Sequence, residues 1–190
     1  MERNYIEDQN FANKDYSTIP LPVSVYENCQ FSHCNFAGAN ISAIHFIECS
    51  FHNCNLAAAN LSKTVFRDVV FKDSKLVGLR FENCDSFLIS MAFENCNLQL
   101  SSLYGLKLKK THFNNCMLHE VDFTDADLSG SSFNNTDLSN ASFYNTNLEG
   151  ADLRTASNYA IDPEVNRIQR ARFSINGLPG LLLKYKIRVD

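Results

Sequence analysis

No tryptophan occurs in this chain, and its 190 residues include only seven glycines and four prolines. An apolar run of about 18 residues, the length at which a membrane helix is suspected, is also missing. The N-terminus lacks the basic start and apolar stretch of a secretory leader, so a cytoplasmic protein without membrane contact is expected. Charge of either sign is not in excess: a net value of −4 favours solubility but identifies no partner. Nor is there a glycine-rich phosphate loop, an HExxH pair or a nucleophile elbow. No catalytic residue, cofactor site or metal ligand is therefore assigned.

Phenylalanine, at fifteen residues, and cysteine, at seven, are abundant. Seven cysteines ordinarily suggest a disulfide or zinc framework. Their spacing points elsewhere. Large apolar side chains recur at every fifth residue, through Tyr26, Phe31, Phe36, Ile41 and Phe46 to Leu76 and Phe81. After a two-residue slip at Glu82–Phe87 the series resumes at Leu88 and Phe93. It continues through Phe113, Leu118, Phe123 and Leu128 to Leu148 and Leu153, making 26 centres. Ile6, Phe11, Tyr16 and Leu21 fit the first register as weaker repeats. Two positions ahead of each centre sits a small or apolar residue, and all seven cysteines (Cys29, Cys34, Cys49, Cys54, Cys84, Cys96, Cys116) occupy that slot. Ala126, Ala141 and Ala151 stand in the same slot, so the thiols read as core filler rather than ligands.

A period of five matches neither the 3.6 of a helix nor the 2 of a flat strand. It matches a chain that turns two of every five side chains inward and bends at a corner between units. Stacked, such a chain is an all-β solenoid with a filled Phe/Leu interior. Five of the seven glycines fall two residues after a centre, where a corner is expected. Asparagine, as at Asn53, Asn55, Asn60, Asn95, Asn97, Asn134, Asn135 and Asn140, reads as a local corner cap rather than as a carbohydrate- or ice-binding face. His33, His45, His52, His112 and His119 all lie beside the inward positions and read as surface residues. The slip is either a functional bulge or a tolerated corner adjustment.

Ala126–Gly130 and Ala151–Thr155 resemble the A(D/N)LXX consensus of pentapeptide-repeat proteins, and the resemblance covers most of the chain. It implies a right-handed quadrilateral β-helix with four repeats per coil, hence 6.5 coils for 26 centres and a stack of roughly 31 Å at about 4.8 Å per coil. Phe would then face Phe, and Leu face Leu, across the interior between Phe113 and Leu148. Residues 1–20 are a lead-in with weak repeats and 21–155 the β-helix. Residues 156–190 form a C-terminal cap and dimerisation segment.

The five-residue pattern ends after Thr155. Asp162-Pro163-Glu164 reads as a helix start, Leu178–Tyr185 as a second helix, and Ile187–Val189 as extended. This short helical cap would cover the last coil, whose backbone edge and core would otherwise be exposed. Leu178, Leu181, Leu182, Tyr185 and Ile187 are its candidate cap and dimer residues; the cap closes one chain or is shared by two. Charge divides unevenly. Lys63–Lys110 holds eight basic and five acidic residues, whereas Thr111–Leu153 holds seven acidic residues and neither Lys nor Arg. Glu120, Asp122, Asp125, Asp127, Asp137 and Asp152 are the candidate partner-binding acidic face. A solvated surface and a surface that competes with DNA are the two readings of it.

Asn158–Asp162, Arg170–Ser174 and the closing stretch from Leu181 resemble the C-terminal end of the albicidin- and microcin-resistance members. These are grouped with the mycobacterial fluoroquinolone-resistance and plasmid quinolone-resistance proteins. That resemblance implies a C-terminally joined homodimer, non-enzymatic, that imitates duplex DNA at DNA gyrase or topoisomerase IV and protects it from inhibitors. It implies no direct contact with nucleic acid. The alternative is a structural or scaffold repeat protein with another protein partner.

Overall fold

The computed structural model describes residues 4–188. Its short strands are β1 (Tyr5–Glu7), β2 (Asn10–Ala12), β3 (Val25–Glu27), β4 (Gln30–Ser32), β5 (His45–Ile47), β6 (Ser50–His52), β7 (Val65–Arg67), β8 (Val69–Lys72), β9 (Met91–Glu94), β10 (His112–Asn114), β11 (Ser132–Asn134), β12 (Asp152–Leu153) and β13 (Arg172–Phe173). All pairings are parallel. β1, β3, β5 and β7 stack on one face, and the other nine strands on the next. Isolated parallel bridges such as Asn35↔Asn55 and Asp122↔Ser142 carry the remaining two faces. The result is a β-solenoid of about eight turns, matching the expected β-helix. At about 4.8 Å per strand, nine stacked strands make a face roughly 38 Å long, more than the 6.5-coil reading allowed.

The strand register shows why the period is five. Phe11, Phe31, Phe51, Phe71, Phe93, Phe113 and Phe133 are successive partners. Their rings stack at 4.8–5.5 Å between centroids. Across the interior Phe113 meets Phe123 edge-on at 6.0 Å, as the alternation of Phe and Leu predicts. Each such side chain is withdrawn from water, which contributes roughly 1.5–3 kcal/mol before the cost of ordering the chain. Backbone groups are satisfied between coils, as where Leu118 N donates to Asp137 O at 2.8 Å and Met117 N to Cys96 O at 2.9 Å. The residue two past a centre takes a left-handed conformation, for example Gly130 (φ +69°), Asn115 (+52°) and Asn135 (+51°).

Asparagine has the expected corner role and a second one. Asn55 Oδ1 accepts from Ala57 N at 3.2 Å, within one corner. Between coils, Asn115 Nδ2 donates to Asn95 Oδ1 at 3.1 Å and Asn135 Nδ2 to Asn115 Oδ1 at 3.2 Å, forming an amide ladder. All seven cysteines are buried and free. Burial pushes the thiols of Cys49, Cys54 and Cys116 up to about 12, with hydrogen bonds from the backbone opposing it.

Three expectations are corrected. Leu88 is not a core centre: it is 64% exposed and left-handed (φ +58°), and Phe87 beside it is 67% exposed. Phe71 pairs with Phe93, and Ser90 N already donates to Phe66 O at 3.0 Å, so the two extra residues loop outward before buried Ile89 and Met91.

The coil also does not stop at Thr155. β13 pairs with β12, Tyr159 and Ile161 are buried, and Ile168 and Phe173 pack against the core. Asn166 takes the inward slot, its Oδ1 accepting from Thr146 N at 2.9 Å and its Nδ2 donating to Phe143 O at 3.0 Å. This last coil escapes the pattern because the fifth-residue positions hold Asn158 and Pro163.

Among the described residues no α-helix forms at the end. Asp162-Pro163-Glu164 is a turn, with Asp162 Oδ1 accepting from Glu164 N at 2.9 Å. The cap consists of 3-10 helices at Ile175–Leu181 and Leu183–Tyr185. Pro179 lacks the donor an α-helix would use. The cap also lies so close that a Cβ at Gly177 would collide with the Tyr159 hydroxyl, and one at Gly180 with the Tyr159 carbonyl. Lys186 is left-handed (φ +51°) and Ile187 joins no strand; Val189 lies outside the described residues.

Candidate protein-interaction surface

With the interior filled, chemistry is confined to the outside of the rod. Among the described residues no group of His, Cys, Asp and Glu is arranged to hold a metal ion, and no helix is long and apolar enough to cross a membrane. None of the five histidines is buried.

The six candidate acids do not share one face. Glu120, Asp122 and Asp125 span one side of a coil and its two corners, and Asp127 lies on the next side, bridging Lys107 and Asn147. Asp137 lies on another side, one coil on from its bridge partner Met117. Asp152 belongs to β12, on the nine-stranded face. The reason is geometric: a four-sided coil sends residues 10 apart to opposite sides, so acids close in sequence are spread around the rod.

Charge compensation separates them further. Asp127 Oδ2 lies 3.4 Å from Lys109 Nζ, Asp137 Oδ2 2.7 Å from His119 Nε2, and Asp152 Oδ2 2.7 Å from Arg154 Nη2. Burial of Asp137 opposes ionisation, but hydrogen bonds from Asn158, Ser139 and His119 outweigh it and hold the carboxyl far below the usual range. The bidentate Arg154 hydrogen bond lowers Asp152 in the same sense. Among the described residues no basic side chain within ion-pairing distance offsets Glu120, Asp122 or Asp125. Asp122 Oδ1 accepts from Thr124 N at 2.9 Å, which aligns it along the corner.

Two residues that sequence reasoning missed flank these acids. Tyr104 (48% exposed) and Tyr144 (62% exposed) each follow a core centre by one residue and sit 40 apart, which is two coils, on the Asp122/Asp125 side. The Asp125 carboxylate faces the Tyr104 hydroxyl and raises its pKa through hydrogen bonding and charge. Counting outward positions modulo 20 would have found both. A second acidic group, Glu7, Asp8, Glu27 and Glu48, lines a shallow groove with Asn28 near the N-terminus.

At the C-terminus the candidate residues divide. Leu181 packs on the core and Leu182 is half-buried, closing the last coil, and Ile161 N donates to Gly180 O at 3.0 Å. Leu178, Tyr185 and Ile187 face solvent, as do Ile175 and Leu183, which the sequence reading did not include. Lys184 Nζ pairs with Asp162 at 2.8 Å, and Tyr185 Oη donates to Glu164 at 2.7 Å, fixing the cap to the coil.

A parallel β-solenoid with a five-residue period, αL corners and a Phe/Leu ladder defines the class of repeat protein. The family model for the pentapeptide repeat region matches residues 24–85, 45–123 and 79–153, and the chain belongs to that family. A search of curated proteins finds no match. Among solved structures, a trypsin-treated variant of QnrB1, a plasmid-mediated fluoroquinolone resistance protein, is 18% identical, with TM-score 0.58 over 98% of this chain and 100% of that one. A second such variant gives 18% and 0.58 over 96% and 99%. HetL, a pentapeptide repeat protein involved in heterocyst differentiation regulation from the cyanobacterium Nostoc sp., is 17% identical with TM-score 0.43 over 93% and 90%.

Proposed function

We propose that this protein is a non-enzymatic partner of DNA gyrase or topoisomerase IV that presents an acidic rod in place of duplex DNA and protects the enzyme from poisons. The observation that carries the reading is the row Glu120, Asp122 and Asp125, without cationic partners among the described residues and flanked by Tyr104 and Tyr144 on a rod with a packed interior. Uncompensated carboxylates beside exposed aromatics suit a basic protein surface that ordinarily receives phosphates. The sequence resemblance to gyrase-binding members supports the choice of enzyme, and the QnrB1 likeness supports the fold on which it rests. The exposed Ile175, Leu178, Leu183, Tyr185 and Ile187 support a homodimer through the C-terminal cap, which would place the acidic coils on either side of the junction. The cytoplasm, where the enzymes act, is the compartment this reading requires.

The test is gyrase supercoiling and DNA cleavage with a cleavage-stabilising drug, with and without the purified protein. Protection with direct binding is expected. Absence of both removes the reading and leaves a scaffold protein for another partner.

A further inference from the structure

The outward loop at the slip forms a second surface of opposite character. Phe87 and Leu88 project side by side where the coil carries its extra residues, and Leu88 holds a left-handed conformation that a branched side chain disfavours. The loop is nevertheless well braced. Asp85 N donates to Thr64 O and Phe87 N to Asp85 Oδ1, both at 2.9 Å, and the Arg67 guanidinium lies 5.7 Å from the Phe87 ring centroid. Beside it a groove of about 430 Å³ is lined by Asp85, Ser86, Phe87, Leu88, Gly105 and Lys107.

Basic groups outnumber acidic ones around this groove: Lys63, Arg67, Lys107 and Lys110 stand against Asp68 and Asp85. Asp85 accepts from Phe87 N and Asp68 from Ser90 Oγ, both at 2.9 Å and both neutral donors that leave the charge in place, whereas Asp127 is paired with Lys109. Lys63, Lys107 and Lys110 are exposed and, among the described residues, have no acidic partner within ion-pairing distance. Adjacent apolar side chains gain from contact with other apolar groups, and the lysines select the sign of the flanking charge.

We propose that the Phe87–Leu88 knuckle and its groove are a docking site for an acidic polypeptide segment carrying an aromatic or aliphatic anchor. The anchor enters between Leu88 and Gly105, and its flanking carboxylates meet Lys107, Lys110 and Lys63. This site lies outside the acidic row and does not depend on gyrase as the partner of that row. A polynucleotide fits less well, because the knuckle offers a single ring, Phe87, and the Arg67 guanidinium already lies over it.

The test uses a phage-displayed library of random dodecapeptides, selected on the full chain and counter-selected on the Phe87→Ser/Leu88→Gly double variant. Both positions are exposed and glycine suits the left-handed position, so the variant is expected to fold; an unchanged thermal transition verifies this. The expected result is enrichment of peptides with Asp or Glu flanking a Phe, Tyr, Leu or Ile. Synthetic copies should lose at least tenfold in affinity on the double variant and on Lys107→Glu, and weaken with added salt. Enrichment of basic or neutral peptides, no enrichment, or equal binding to the double variant overturns the proposal. Tighter binding of a single-stranded oligonucleotide through Phe87 overturns it too.

Discussion

Asn145 reaches back one coil to donate from Nδ2 to Asp125 Oδ1 at 2.6 Å, holding an otherwise uncompensated carboxylate on the side that also carries Tyr104 and Tyr144. A carboxylate fixed by a neutral amide keeps its charge for a partner, whereas Asp127, held by Lys109, spends part of its field within the chain.

From this contrast, the double reversal Asp122→Lys/Asp125→Lys should weaken binding to purified gyrase by at least tenfold, roughly 1.4 kcal/mol. Asp152→Lys, on another face, should do less. Fluorescence anisotropy at two salt concentrations checks both. Unchanged affinity in the double variant would move the contact elsewhere.

The C-terminal apolar residues should set the oligomeric state. Leu178→Glu/Ile187→Glu places charge on the exposed cap surface while leaving Leu181 on the core. Sedimentation should show a dimer for the parent chain and a monomer for the variant, with the thermal transition of the rod retained. A monomeric parent chain would refute the shared cap.

Interior and exterior aromatics should differ sharply in stability. Phe113→Ala removes a ring stacked between Phe93 and Phe133 and should cost about 3–5 kcal/mol in denaturant titration. Phe87→Ala should cost less than about 0.5 kcal/mol, as for a surface position. Similar losses would contradict the outward assignment of the loop.

Thiol chemistry reports the same division. With Cys49, Cys54 and Cys116 held near 12 by burial, and Cys96 near 11, the native protein at pH 8 should react with a disulfide reagent far more slowly than the unfolded chain. In denaturant all seven thiols should titrate. Rapid reaction of the folded protein would place them outside.

Acid should loosen the last coils. Asp137, Asp152 and Asp162 have carboxyls held below the ordinary value by their hydrogen-bond donors. A folded-state pKa below the unfolded one gives stabilisation that is complete above pH about 4 and is lost as the pH falls further. Melting temperature should therefore be flat from pH 7 to about 5 and decline below about 4. Asp137→Asn should lower the plateau and flatten the decline; an unchanged profile would mean that this pairing contributes nothing.

Much of the fold was legible because the inward pattern is local. A large residue at each centre and a small one two positions earlier are visible without knowing what stacks on what, and Phe113, Leu118 and Cys116 are buried where that pattern puts them. The pattern misled where shape and identity part company. Leu88 has a core residue's chemistry but lies on the wrong side of a register shift, and Asn166 has a surface residue's chemistry but finds three partners inside. Neither fact is local, since one is set by the Phe71–Phe93 pairing and the other by Thr146 and Phe143 one coil away.

By itself the amino-acid order determined a rod with a solid interior, since every fifth residue must leave water and only a repeating bend allows it. Which outward residues meet was decided by the coil, because neighbours on the surface are 20 residues apart and a two-residue insertion resets the count. Hence the acids expected on one face are distributed around the rod. Tyr104 and Tyr144 join Asp122 and Asp125, and Phe87 and Leu88 stand outside beside lysines.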